Sequence, residues 1–159
     1  MAVRIQKVTV QAMKAHIEFL CSENDIKLYH YTGGGRALKP NRAIYIKEIK
    51  GAKTYAVALH EIGHHMAKGG FTLLLVEREF RCWQWAKQHA IVWTEGMQAK
   101  MIDCLSSYIT KAGNSTRVIL PGKTERRALW YSVGLFKDND NPCSYSEIID
   151  KVGGIERHE

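Results

Sequence analysis

Thr54-Tyr55-Ala56-Val57-Ala58-Leu59-His60-Glu61-Ile62-Gly63-His64-His65-Met66-Ala67-Lys68 is the stretch from which both the fold and the chemistry are read. Its spacing predicts a helix over residues 54–68, capped by Thr54 and stopped by Gly69-Gly70. Within it, His60-Glu61-Ile62-Gly63-His64 has the form H-E-x-x-H. Histidines four residues apart stand one turn apart on the same helix face, so both imidazoles can reach one metal ion. Glu61 lies on the flank of that face, where it can take a proton from a metal-activated water. Residues 55–59 are apolar, as a buried active-site helix requires, and Gly63 lets another backbone or a substrate come close. The pattern therefore predicts a metal centre with His60 and His64 as ligands and Glu61 as the catalytic base. Zinc suits two imidazoles and a carboxylate with an open fourth position.

A third protein ligand is sought on the next helix, expected over residues 74–92, which offers Glu77 and Glu79. Two residues apart means about 200° around a helix, so only one of them can face the metal. The stripe through Glu79 continues with Cys82, Trp83 and Ala86, which suit packing against the motif helix. The stripe through Glu77 continues with Arg81, Gln84 and Gln88 and reads as solvent-facing. Glu79 is thus the expected ligand, with Glu77 facing solvent or a base such as Arg81. His65 points roughly 100° away from His64 and reads as a flanking residue.

Around this pair the pattern is α+β and mostly helical. Thr9 is placed to cap a helix carrying Val10, Met13, Ile17 and Leu20. Residues 26–31 and 43–47 alternate like strands, with Gly33-Gly34-Gly35 as a turn or loop between them and Pro40-Asn41 before the second. A short N-terminal antiparallel sheet is expected from them. Thr94-Glu95 opens a further helix reaching about Lys111, and short helical segments are expected near 124–133 and 144–152. The whole chain of 159 residues fits one domain, since domains commonly run to roughly 100–150 residues.

Composition narrows the partners. No run approaches the roughly 20 apolar residues of a membrane span, and the N-terminus lacks the apolar stretch of a signal peptide. The expected address is the cytoplasm, without a membrane partner. Cys21, Cys82, Cys104 and Cys143 show no C-x-x-C spacing and read as buried thiols or idle surface ones in a reducing compartment. The net charge of +7 suits an acidic partner. Arg36, Lys39, Arg42, Lys47, Lys50 and Lys53 face a single acid, Glu48, in a segment that reads either as a solvated surface or as a nucleic-acid contact. Tyr29, Tyr31, Tyr45, Tyr55, Tyr108 and His89 could each stabilise an oxyanion, and nothing in their spacing selects one.

Leu59-His60-Glu61-Ile62-Gly63-His64-His65 resembles the motif helix of the ImmA/IrrE-type metallopeptidases, gluzincin-like proteins of phages and mobile elements. Their downstream ligand helix has the form E-x-x-A-N-x-F-A. Glu79-Phe80-Arg81-Cys82-Trp83-Gln84-Trp85-Ala86 follows it in outline, closer still to an E-x-x-A-W-x-W-A version in small phage-type relatives. The resemblance covers about residues 40–110. It implies His60, His64 and Glu79 as zinc ligands and Glu61 as the catalytic glutamate. It also implies a specific protein substrate, such as a repressor or host regulator. Two departures stand out: Cys82 replaces alanine, and Trp83 replaces a polar residue, removing an expected hydrogen bond behind a ligand. The family often adds an N-terminal DNA-binding domain, for which this chain leaves no room. The expected function is a zinc-dependent peptidase. The alternative is a metal-stabilised accessory protein that acts by binding a protein partner or nucleic acid.

Overall fold

The computed structural model describes residues 7–71 and 75–113 of the chain. The elements run α1 (Val10–Glu23), β1 (Lys27–His30), β2 (Arg36–Leu38), β3 (Ala43–Ile46), α2 (Ala52–Met66), α3 (Leu75–His89) and α4 (Glu95–Gly113). This is an α+β, mostly helical architecture. The helical segments expected near 124–133 and 144–152, and Cys143, lie outside the described residues. Contacts divide the chain into two units, one of Met1–Thr72 with Arg78–Lys100, the other of Leu73–Glu77 with Met101–Glu159. The first holds the sheet, α1, α2 and most of α3. In the second, the described part of α4 buries Met101 and Leu105.

Local chemistry accounts for the helix starts. Thr9 caps α1 by accepting the Ala12 N–H at 3.1 Å, and Thr94 caps α4 by accepting that of Met97 at 3.2 Å. In α2 the expected cap is displaced. The helix begins at Ala52 after Gly51, and Thr54 sits one turn inside it. From there its hydroxyl accepts the Lys50 and Gly51 N–H groups and donates to the Gly51 carbonyl. Thr54 thus secures the helix start from within. Met13, Ile17 and Cys21 are the buried stripe of α1, at four-residue spacing, while Val10 is partly exposed.

The sheet differs from the antiparallel one expected. Its order is β1-β3-β2, with β1 parallel and β2 antiparallel to β3. The tight reversal is made by Lys39-Pro40-Asn41-Arg42, closed by the Arg42 N–H on the Lys39 carbonyl at 3.1 Å. Proline and asparagine at the two central positions favour such a turn. The glycine run instead carries the chain between the two outer strands, which makes β3 central. Ile44 and Ile46 are accordingly buried.

α2 is buried almost all round, from Tyr55 to His64, because the sheet, α1 and α3 each take a side of it. Tyr55 is fully buried and its hydroxyl bonds His16 of α1 at 2.7 Å and the Ile91 N–H at 3.1 Å. Gly63 permits the close approach of α3: a Cβ there would lie 2.7 Å from the Cys82 carbonyl oxygen. An alanine ordinarily stabilises a helix interior by about 1 kcal/mol over glycine. Gly63→Ala is expected to do the opposite, destabilising the fold by about 1–3 kcal/mol through overpacking. Thermal denaturation checks this, and an unchanged or higher Tm would show that α2 and α3 are not in backbone contact at Gly63.

Candidate metal centre

His60, His64 and Glu79 converge in the core of the first unit. The relative exposures of His60, His64 and Glu79 are 6%, 9% and 2%. His60 Nε2 lies 2.9 Å from Glu79 Oε2, His64 Nε2 lies 3.5 Å from the same oxygen, and the two Nε2 atoms are 3.2 Å apart. Ligand atoms on a tetrahedral ion with bonds of about 2.0–2.1 Å stand roughly 3.3 Å from one another. The observed triangle has that size. Glu79 Oε2 is a buried oxygen without a hydrogen bond, and its two nearest neighbours are imidazole nitrogens that can present lone pairs. The group could hold a metal ion.

Glu79 is the inward carboxylate of α3, together with Cys82, Trp83 and Ala86, all essentially fully buried. Of the stripe read as solvent-facing, Gln88 is exposed, whereas Arg81 and Gln84 are half-buried. The Glu77 side chain lies outside the described ones. Arg78 Nε contacts the other oxygen, Glu79 Oε1, at 3.4 Å.

The two imidazoles are oriented differently. His64 Nδ1–H donates to the Gly70 carbonyl at 2.8 Å, so that once Nε2 gives up its proton its lone pair faces Glu79. The Cys82 sulfur lies 3.4 Å from the same Nδ1. His60 has no such bond: its Nδ1 is buried without a partner. Instead the Trp83 indole stacks on it, with centroids 4.4 Å apart and planes 26° apart. The tryptophan at this position therefore holds the ring by contact rather than by a hydrogen bond. His65 is outside the cluster and ties α2 to the sheet through the Ala43 carbonyl at 3.0 Å.

Glu61 is buried to 6% exposure, and burial raises its carboxyl to about 7, with His64 opposing and Glu79 reinforcing the shift. Residue 35 closes over it: a Cβ on Gly35 would collide with the Glu61 carboxylate and with Val57. The other oxyanion candidates are engaged elsewhere. Tyr55 bonds α1 and the segment after α3, His89 stacks on Trp85, and Tyr29, Tyr31 and Tyr45 stand on the sheet. Tyr108 belongs to the second unit. The Gly70 carbonyl and the Gly35 contact were not foreseen from sequence, because neither leaves a side-chain signal.

Burial disfavours a charged His64, but the Cys82 sulfur and Glu79 carboxylate facing it prevail and raise its pKa. Burial likewise works against an ionised Glu79, yet the His60 and His64 imidazoles facing it hold it well below the usual carboxylate range. A raised His64 carries a proton at pH 7 that a metal must displace. Metal binding is therefore expected to release on the order of one proton, read by calorimetry in buffers of different ionisation enthalpy. His60→Ala, His64→Ala and Glu79→Ala are each expected to abolish stoichiometric metal, and Glu61→Gln to retain it, as elemental analysis of purified protein would show.

No family model matches the chain, no curated protein matches it, and no solved structure matches it. Among the described residues, no helix is long and apolar enough to cross a membrane.

Proposed function

We propose that the protein is a zinc-dependent peptidase, akin to the ImmA/IrrE-type metallopeptidases that its motif helices resemble. The observation that carries this reading is the buried triangle of two imidazole nitrogens and one carboxylate oxygen, 2.9–3.5 Å on a side. Two nitrogens and one oxygen form the donor set of open, hydrolytic zinc sites, and Glu61 on the same helix adds the proton acceptor such sites need. A bound zinc would supply Lewis acidity, making a water acidic enough to ionise near neutral pH.

This chain's own residues do the rest. Glu61, with its carboxyl raised towards neutrality by burial, takes the proton of the attacking water and delivers it to the leaving amine as the C–N bond breaks. Peptide is the favoured substrate because of β2. Its outer edge pairs with no strand among the described residues, and an extended chain added to such an edge gains main-chain hydrogen bonds. The start of β2 adjoins Gly35, which packs on Glu61, so a chain bound there runs past the base. A cavity of about 330 Å³ lined by Lys39, His64, His65 and Phe71 offers room for a substrate side chain, and Lys39 favours an acidic one.

Two substitutions test the reading. Glu61→Gln is expected to keep zinc and lower peptide cleavage by about 10²–10⁴-fold. Gly35→Ala is expected to keep zinc and lower cleavage as well, because the added methyl displaces Glu61. Mass spectrometry of a peptide library incubated with each zinc-loaded protein reads both. Equal cleavage by native and Glu61→Gln protein would overturn the peptidase reading. A zinc-loaded native protein that cleaves nothing would favour a metal-stabilised scaffold acting by docking.

A further inference from the structure

The sheet carries a second feature, independent of the metal centre. Tyr29 of β1, Tyr31 just beyond its end and Tyr45 of β3 gather into one cluster. Tyr29 and Tyr45 are register partners and stack with centroids 4.9 Å apart and planes 19° apart. Tyr31 meets Tyr45 edge-on at 5.9 Å. Despite these contacts, Tyr29 and Tyr31 remain 44% and 38% exposed. They stand opposite the buried positions Ile44 and Ile46, on the face of the sheet turned away from that core. Tyr45 covers one ring face of Tyr29, and Tyr31 is tethered by its hydroxyl to the Gly34 carbonyl. The rings are thus pre-positioned at little further entropic cost.

Cations surround them. Arg36 is the register partner of Tyr45, Lys27 precedes Tyr29 by two residues in β1, and Lys47 follows Tyr45 by two. All three are exposed, and among the described residues none forms an ion pair. The segment's one acid, Glu48, is occupied by Lys14 of α1 at 3.0 Å. Flat, fixed, half-exposed rings ringed by unpaired cations complement a polyanion whose bases are free to stack. We infer that this face binds single-stranded nucleic acid, with a base on the open side of Tyr29, another at Tyr31, and the backbone phosphates on Lys27, Arg36 and Lys47. A duplex offers no such bases, so it is bound more weakly.

The probe is fluorescein-labelled oligothymidylate of 15 nucleotides, titrated with the full chain and followed by anisotropy at several salt concentrations. The native chain is expected to bind the single strand more tightly than a duplex of the same length. Tyr29→Ala and Tyr31→Ala should each weaken binding roughly 5- to 150-fold, the equivalent of 1–3 kcal/mol of stacking, while Tyr29→Phe should retain it. Lys27→Ala, Arg36→Ala and Lys47→Ala should each reduce the salt slope by about 0.7. Ultraviolet crosslinking of a 5-iodouracil oligomer to the native chain needs no variant and should place the adduct on Tyr29, Tyr31 or Tyr45. Absence of binding at low salt, equal affinity for duplex, ring removal without effect, or an adduct elsewhere would each overturn the inference.

Discussion

A carboxylate buried to 2% exposure between two imidazoles is the constraint on which the helical core depends. Taking an ion such as Glu79 out of water costs several kcal/mol unless something of opposite charge or a metal meets it. The partners are His60 and His64 on α2, so α2 and α3 must lie close enough for their side chains to interleave. That closeness needs Gly63, whose missing Cβ leaves space for the Cys82 backbone. It also places Trp83 flat on His60, and the turn after α2 returns the Gly70 carbonyl to His64. Fold and site are here one arrangement.

The rest of the first unit holds that pair and limits access to it. The sheet and α1 occupy the sides of α2 that α3 leaves free, which is why so few residues of α2 reach solvent. Gly35 brings the start of β2 against Glu61. Glu61 is thereby kept in a poorly solvated place, where its carboxyl holds a proton more readily than in water. The opposite face of the sheet is of another character, with three tyrosines and, among the described residues, cations without ion pairs beside Leu38 and Ala43.

What the sequence alone determined was local in origin. Helical spacing put Met13 and Ile17 on one buried stripe, although Cys21 completes it rather than Val10 and Leu20, and it put His60 and His64 on one face. Thr9 and Thr94 could be read as caps because a cap bonds within three residues of itself. Even the choice of Glu79 followed from one helix, since its neighbours on that stripe are Cys82, Trp83 and Ala86. Tertiary structure decided whatever joins distant segments. The order β1-β3-β2 was not legible, because a short strand such as Arg36–Leu38 has too few residues to show a period, and pairing partners leave no mark in either strand alone. Thr54 changed role from cap to inner brace once the chain before it packed against the helix. The Gly70 carbonyl on His64, the Gly35 backbone on Glu61 and the gathering of Tyr29, Tyr31 and Tyr45 are backbone or surface events between segments far apart in the chain. No side-chain periodicity encodes them; they exist only where packing brings those segments together.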